Sequence, residues 1–83
     1  MALATAAVAQ DTPEELTNRG IEKSAAGDVD GAIADYTKAI EADGKFAKAY
    51  NNRGLARQQK GDVPGAVEDF DRAIELDPKF AFA

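Results

Sequence analysis

Residues 13–46 read PEELTNRGIEKSAAGDVDGAIADYTKAIEADGKF, and residues 47–80 read AKAYNNRGLARQQKGDVPGAVEDFDRAIELDPKF. Laid over each other without a gap, the two stretches of 34 residues agree at fifteen positions. The shared positions include Asn-Arg-Gly, Gly-Asp-Val and the closing Lys-Phe of each stretch. A fixed period without gaps indicates that one structural unit has been copied and stacked, as in a solenoid. A unit of this length has room for two helices of three to four turns and their connecting turns.

Helix boundaries are marked by residues that commonly cap helices. Thr12 and Glu15 form a capping box around Pro13, which suits the first position of a helix. Gly27 supplies a left-handed residue at the end of that helix, and Asp28 can bind the free amides of the next one. The second repeat carries matching signals. The predicted helices span residues 13–26, 30–42, 47–60 and 64–76.

Small residues inside these helices predict close packing between them. Gly20 and Gly54 lie within helices, where glycine costs about 1 kcal/mol relative to alanine, so a close contact is expected there. We expect Ala32 and Ala66 to face these glycines, and Asp35 to lie on an exposed face. Apolar residues at three-and-four spacing predict the rest of the core: Leu16, Ile33, Tyr36, Ala39, Ile40, Tyr50, Val67, Phe70, Ala73, Ile74 and Leu76.

The composition excludes several functional classes. A net charge of -5 argues against a nucleic-acid partner, which would need a basic surface. The chain has no cysteine and no histidine, so the commonest catalytic bases, nucleophiles and metal ligands are missing. Asp69 and Asp71 are interpreted as part of a solvated helix face, not as an acid/base pair. We therefore predict no enzymatic activity, no cofactor, no metal ion and no membrane span.

Residues 1–12 precede the first repeat and allow two interpretations. Ala7-Val8-Ala9 resembles the small-x-small cleavage site of a secretory signal, although no basic residue precedes it. The other interpretation is an alanine-rich helical extension. The location stays unknown from sequence: exported or periplasmic in the first case, and cytoplasmic in the second.

Charge is unevenly divided between the two helices of the second repeat. Residues 47–60 carry four basic residues and no acid, whereas residues 64–77 carry five acids and one arginine. In a solenoid each first helix packs on the preceding second helix, so opposite charges could fix the stacking order. The alternative is that these residues are ordinary surface charges that do not fix the stacking order, because exposed ion pairs contribute little to stability.

The repeated residues resemble those of the tetratricopeptide repeat family, which has the same period. The resemblance covers residues 13–80, as two repeats at 13–46 and 47–80, and residues 81–83 resemble the opening of a third. Leu16 replaces the usual tryptophan, Lys23 and Arg57 stand where tyrosine is common, and Gly44 replaces the terminal proline. The matching residues are Tyr50, Gly20/Gly54, Gly27-Asp28/Gly61-Asp62, Ala32/Ala66, Tyr36/Phe70, Ala39/Ala73 and Asp77-Pro78.

The resemblance implies an all-α fold, a right-handed α-solenoid of two antiparallel helical hairpins. In that family the first helices line a concave groove, which binds a peptide or a helix of a partner protein. The positions of this sequence that correspond to the groove are Thr17, Asn18, Ile21, Ser24, Lys48, Asn51, Asn52, Leu55, Gln58 and Gln59. Amide side chains such as Asn51 and Asn52 both donate and accept hydrogen bonds, which suits recognition of a peptide backbone.

Two functions follow as hypotheses. The first is a non-catalytic scaffold whose groove holds a protein or peptide ligand. The second is a structural module whose repeats stack or exchange between chains to form a homo-oligomer. For the second, the expected contact surface is an apolar stripe on the last helix, formed by Val67, Phe70, Ile74 and Leu76.

Overall fold

The computed structural model describes residues 12–81, and these residues form four α-helices and one short 3₁₀ helix. The helices are α1 (Pro13–Ala25), α2 (Val29–Ala42), α3 (Ala47–Lys60) and α4 (Val63–Leu76), and the 3₁₀ helix is Pro78–Ala81. The predicted all-α fold is confirmed, and each helix boundary lies within one residue of its predicted position. Residues 1–11, with the proposed cleavage site, lie outside the described residues.

Capping residues begin and end the helices as the sequence predicts. The Thr12 hydroxyl accepts a hydrogen bond from the Glu15 amide, and the Glu15 carboxylate accepts one from the Thr12 amide. Asp28 accepts from the Gly31 amide at 2.9 Å and so caps α2. Gly27 has φ 93°, a left-handed conformation that glycine adopts without a side-chain clash. Asp62 caps α4 in the same way as Asp28 caps α2.

The helices form two hairpins that stack side by side. Within the first repeat α1 packs against α2, and within the second α3 packs against α4. The two repeats meet mainly where α3 packs against α2, with a smaller contact between α1 and α3. The first helices of both repeats therefore lie next to each other, and α4 stands at the opposite end from α1.

Alanines fill most of the buried hydrophobic positions between the helices. One cluster joins Leu16 and Ala39 of the first repeat to Ala49 of α3. A second cluster joins Ala32 and Tyr36 of α2 to Ala56 of α3. Both clusters cross the boundary between the repeats, so neither repeat completes a core by itself.

Each mid-helix glycine makes room for an aromatic ring. A Cβ atom built on Gly20 would lie 2.5 Å from Cε1 of Tyr36, and one on Gly54 would lie 2.7 Å from Cε1 of Phe70. The predicted close contacts are confirmed, but the nearest atoms belong to these rings and not to Ala32 or Ala66. Burial of the ring raises the pKa of Tyr36, and the neighbouring Asp35 carboxylate raises it further.

A buried carboxylate in each repeat is held by two cations from the preceding helix. Asp35 is 2% exposed and Asp69 is 3% exposed, so the predictions that they lie on solvated faces are wrong. Asp35 Oδ2 lies 3.0 Å from Nζ of Lys23 and 3.5 Å from Nε of Arg19. Burial of the carboxylate is tolerated because these cations compensate its charge. This pairing between two helices cannot be recognised from the pattern of a single helix.

The second repeat holds its carboxylate with better geometry. Arg53 donates to both oxygens of Asp69 at 2.8 Å, and Arg57 donates to Asp69 Oδ2 at 3.0 Å. The hydrogen bond to Asp69 raises the pKa of Arg53. Arg53 also donates to the Thr37 hydroxyl of α2 at 3.2 Å, so the same guanidinium links the two repeats.

Charged side chains join the repeats at two further points. Lys60 of α3 pairs with Asp30 at the start of α2 at 2.5 Å, and Lys48 pairs with Glu14 of α1 at 3.4 Å. These pairs are exposed and contribute little energy individually. Part of the positive charge of α3 thus meets the first repeat, while Arg53 and Arg57 bind the acidic helix of their own repeat.

Candidate functional site: a cleft and an apolar helix face

A cleft of about 660 Å³ opens beside α3, between α1 and the end of α4. Its apolar part comes from Ile21 of α1, Phe46 at the start of α3, and Leu76 and Phe80 at the far end. Its polar and charged part comes mainly from α3. The lining residues are Ile21, Lys45, Phe46, Ala47, Lys48, Asn51, Asn52, Leu76, Asp77 and Phe80.

The two aromatic residues of the cleft stand on two copies of the same turn. After α2 the Phe46 amide donates to the Asp43 carbonyl, and after α4 the Phe80 amide donates to the Asp77 carbonyl, both at 3.1 Å. The Asp43 and Asp77 side chains accept from the amides two residues later in both turns. The Lys-Phe ending of each repeat therefore places two phenylalanines at the two sides of one cleft.

Two amides, two cations and the Asp77 carboxylate give the cleft its polar character. Asn51 and Asn52 are half-buried on α3 and face the cleft. The Asn52 side chain donates to the Lys48 carbonyl at 3.0 Å, which fixes its orientation on the helix. Lys48 and Lys45 stand at the same edge, where they can attract an anionic group.

The cleft contains four of the ten predicted groove residues. These are Ile21, Lys48, Asn51 and Asn52. Asn18 lies in a separate polar depression on the outer side of α1, with Glu15, Arg19 and Glu22. Ser24, Leu55, Gln58 and Gln59 lie on the first helices outside the cleft. Their contact with a ligand stays a prediction.

Thr17 is not accessible to a ligand, so its prediction as a groove residue is wrong. It is 0% exposed, and within residues 12–81 its hydroxyl has no hydrogen-bond partner. The physical reason is that α1 contacts both α2 and α3, which covers more than one of its faces. In the second repeat the corresponding residue, Asn51, is only half-buried.

Six of the ten residues that line the cleft were not among the predicted groove residues. Lys45, Phe46, Leu76, Asp77 and Phe80 line it but lie outside the first helices. The signal that could have identified them is the repeated ending Asp-x-Lys-Phe at 43–46 and 77–80, which is conserved between the repeats although it is not helical.

A second surface of interest is the outer face of α4, formed by Val63, Val67, Phe70 and Ile74. Val63 is 58% exposed and Val67 is 49% exposed, and the other two are half-buried. Their spacing of four, three and four residues places them on one side of the helix. Leu76, which was predicted to belong to this stripe, lines the cleft, and its part in self-association stays a prediction.

Residues 12–81 contain no cluster of three or more acidic side chains placed to hold a metal ion. None of the helices in this part of the chain is long and apolar enough to cross a membrane.

Comparison with known proteins places the chain in a family. A family model described as tetratricopeptide repeat matches residues 47–80, and one described as TPR repeat matches residues 24–61. Two crystal structures of MamA share 32% sequence identity with the chain and cover 86% of it, with TM-scores of 0.77 and 0.74. The chain spans 42% and 39% of the lengths of those two MamA chains. No curated protein sequence matches it. The chain belongs to the tetratricopeptide repeat family.

Proposed function

We propose that this protein is a non-catalytic interaction module that holds an extended peptide segment of a partner protein in the cleft beside α3. The observation that carries the proposal is the combination of surfaces within one cleft. Phe46 and Phe80 offer apolar contact, while Asn51 and Asn52 offer amides that can bind a peptide backbone. Tetratricopeptide repeats generally mediate protein–protein interaction or assembly, which agrees with this use.

The lining residues define the peptide chemistry that fits. An apolar or aromatic side chain of the peptide would lie between Phe46, Phe80 and Leu76, where burial removes apolar surface from water. An acidic residue next to it would face Lys45 and Lys48. The peptide should therefore combine one large apolar anchor with a neighbouring negative charge.

The test is a selection of peptides from a random library displayed against the full chain, followed by calorimetric titration of the enriched sequences. We expect the enriched peptides to combine an apolar anchor with an acidic residue. Asn51→Ala and Lys48→Ala should each weaken binding about tenfold, as for loss of one hydrogen bond to a charged or polar partner. Circular dichroism checks that helicity is retained.

Gln58→Ala is the matched control, because Gln58 is exposed on the same helix but does not line the cleft. It should leave the affinity unchanged. Enriched peptides whose affinity is insensitive to changes at Asn51 and Lys48, yet sensitive to Gln58→Ala, would contradict the assignment of the cleft.

Self-assembly is the second candidate function, and the exposed valines on the outer face of α4 favour it. Val63 and Val67 leave about half of their surface in water, which is unusual for residues aligned with a hydrophobic core. Light scattering from low to high micromolar concentration tests it. A mass that rises with concentration in the wild type, and that falls to a monomer in Val67→Asp, would support assembly through this face.

A further inference from the structure

The outer face of α4 repeats a surface that is already covered elsewhere in the molecule. Val63, Val67, Phe70 and Ile74 stand 34 positions after Val29, Ile33, Tyr36 and Ile40 of α2. In α2 those four residues pack in the two core clusters that cross the repeat boundary. The helix that packs on this surface of α2 therefore indicates which kind of helix can pack on the corresponding surface of α4.

The helix that covers α2 has a simple pattern. Ala49 and Ala56 of α3, seven residues apart, are 0% and 2% exposed and pack in the two clusters that contain the α2 residues. Between them Arg53 reaches the Thr37 hydroxyl. A small residue, a cation and a second small residue thus lie in line along the covering helix, which lets its backbone approach the apolar stripe closely.

The surfaces of α2 and α4 differ at one polar position. The residue of α4 that corresponds to Thr37 is Asp71, which is exposed. A cation at the position of Arg53 would therefore meet a carboxylate on α4 instead of a hydroxyl. Charge-assisted hydrogen bonds are stronger than neutral ones, so α4 selects for a basic covering helix more strongly than α2 does.

A second copy of this chain fits poorly in a head-to-tail arrangement. Its α1 would have to take the place that α3 takes on α2, and α1 carries Glu15 and Glu22 where α3 carries Ala49 and Ala56. Both glutamates are exposed. Arg19 of α1 stands at the position of Arg53 and could meet Asp71, but both glutamates would lose water against the apolar stripe, which is unfavourable.

A symmetric pairing through α4 is opposed by charge as well. Asp71 is exposed beside the stripe, so a symmetric pair would bring the Asp71 carboxylates of both copies close together, and the exposed Glu68 and Glu75 add negative charge to the same helix. Arg72 is the single cation of α4, and it already binds Glu75 at 3.1 Å and stacks over the Tyr50 ring. Like charges across an interface disfavour the pair.

We propose that the outer face of α4 is a second docking surface, separate from the cleft, for a basic amphipathic helix of a partner protein. The helix presents two small residues seven positions apart to the apolar stripe, with an arginine or lysine between them that binds Asp71. This surface takes a folded helix, whereas the cleft takes an extended peptide.

The test uses a synthetic peptide with the sequence of residues 46–61, which carries this pattern, labelled and titrated into the full chain by fluorescence anisotropy. We expect saturable binding. A control peptide with Ala49→Glu and Ala56→Glu, the residues that α1 has there, should bind at least about tenfold more weakly, since two carboxylates would face the stripe. Val67→Asp in the chain should weaken binding of the native peptide to a similar degree.

A charge exchange identifies the contact with Asp71. Asp71→Arg in the chain should weaken binding of the native peptide about tenfold, as expected for the loss of one charge-assisted hydrogen bond. The peptide with Arg53→Glu should bind Asp71→Arg better than it binds the wild type. Val67 and Asp71 are exposed, so these variants should melt like the wild type.

A second measurement removes the cost of folding a short peptide into a helix. The sequence of residues 47–60 is joined directly after Phe80, so that the added helix follows the same turn that precedes α3. The chain extended with the native sequence should melt at a higher temperature than the unextended chain. The chain whose extension carries Ala49→Glu and Ala56→Glu should melt at the same temperature as the unextended chain. Equal melting temperatures for both extensions, or binding that is indifferent to Val67→Asp and Asp71→Arg, would overturn the proposal. Concentration-dependent dimerisation of the wild type that Val67→Asp abolishes would assign the face to a second copy instead.

Discussion

At the scale of single residues, two missing side chains set the distance between the helices of each repeat. Gly20 gives its space to the Tyr36 ring, and Gly54 gives its space to Phe70. We expect Gly20→Leu to lower the free energy of unfolding by about 2 to 3 kcal/mol, because the added atoms overlap a buried ring that cannot move without disturbing the core. Urea unfolding followed by circular dichroism measures this loss.

Gly44→Ala is the matched control for this prediction. A Cβ atom at Gly44 would have Ile40 O as its nearest neighbour at 3.8 Å, which is an ordinary contact. Its stability should equal or slightly exceed that of the wild type, because alanine lowers the entropy of the unfolded chain. Equal losses in the two variants would show that the loss at Gly20 does not come from the aromatic ring.

The two buried carboxylates should differ in their importance for stability. Removing Asp69 leaves Arg53, whose side chain is only 14% exposed, without its main partner. Asp69→Ala should therefore cost about 3 to 5 kcal/mol. Asp35→Ala should cost less, about 1 kcal/mol, since Arg19 and Lys23 are 45% and 40% exposed and regain water.

Asp71→Ala serves as the control, because Asp71 is exposed on the same helix as Asp69. Its unfolding free energy should lie within about 0.5 kcal/mol of the wild type. Chemical denaturation of all three variants gives the order directly. A cost for Asp35→Ala that equals or exceeds that for Asp69→Ala would contradict the role assigned to the exposure of the cations.

Tyr36 should make the protein less stable at alkaline pH. Its folded-state pKa is raised by burial, whereas in the unfolded chain it ionises near pH 10, at about the ordinary value. The stability gained by keeping Tyr36 neutral is complete below that value and is lost as the pH rises through the folded-state pKa. Melting temperatures of the wild type should therefore fall more steeply above pH 10 than those of Tyr36→Phe. Parallel curves would show that another group causes the decline.

At the scale of helices, the sequence predicts the boundaries well because they depend on neighbouring residues. Thr12 with Glu15, and Asp28 with Gly31, interact within three positions, so each cap is visible in a short stretch. Burial of Asp69 depends on Arg53, sixteen residues earlier on another helix. Polar residues on a helix are ordinarily predicted to be exposed, and only the pairing between helices reverses that prediction.

The candidate site was only partly predictable for the same reason. Asn51 and Asn52 were predicted because they match groove positions of the tetratricopeptide repeat, and both positions lie on one helix, α3. Phe80 lies in a turn and reaches the cleft because that turn repeats the geometry of the one before α3. Thr17 is buried by two neighbouring helices at once, a fact that no single amphipathic pattern contains.

The outer surface of α1 and the covered surface of α3 differ by two residues with large consequences. Ala56 is buried against α2, and its counterpart in α1 is the exposed Glu22. Ala56→Glu should lower the unfolding free energy by about 3 kcal/mol or more, because a carboxylate would enter the boundary between the repeats without a cation. Thermal melting of this variant measures the loss.

The reciprocal change tests the same reasoning from the other side. Glu22→Ala removes an exposed carboxylate from the outer surface of α1, and its stability should stay within about 0.5 kcal/mol of the wild type. A comparable loss in both variants would indicate that the charge acts on helix propensity and not on the contact between repeats.

At the scale of the whole molecule, stability depends on contacts between neighbouring repeats. Both core clusters extend from the first repeat into α3, and Arg53 binds groups of both repeats. In such an arrangement each unit is stabilised by the next one, so loss of the boundary between α2 and α3 should unfold the chain as a whole. The cleft depends on that boundary too, because its walls come from both repeats.

The difference between the two ends gives the molecule a direction in which it can be lengthened. Further 34-residue units joined after Phe80 would meet an apolar surface and a turn of the right geometry, and each would offer the same surface to its successor. Units joined ahead of Thr12 would meet Glu15 and Glu22, and would need both exchanged for alanine before they could dock. For protein engineering, this sequence is therefore suited to begin an array of designed repeats, because Glu15 and Glu22 on α1 would oppose the docking of a further unit on that side.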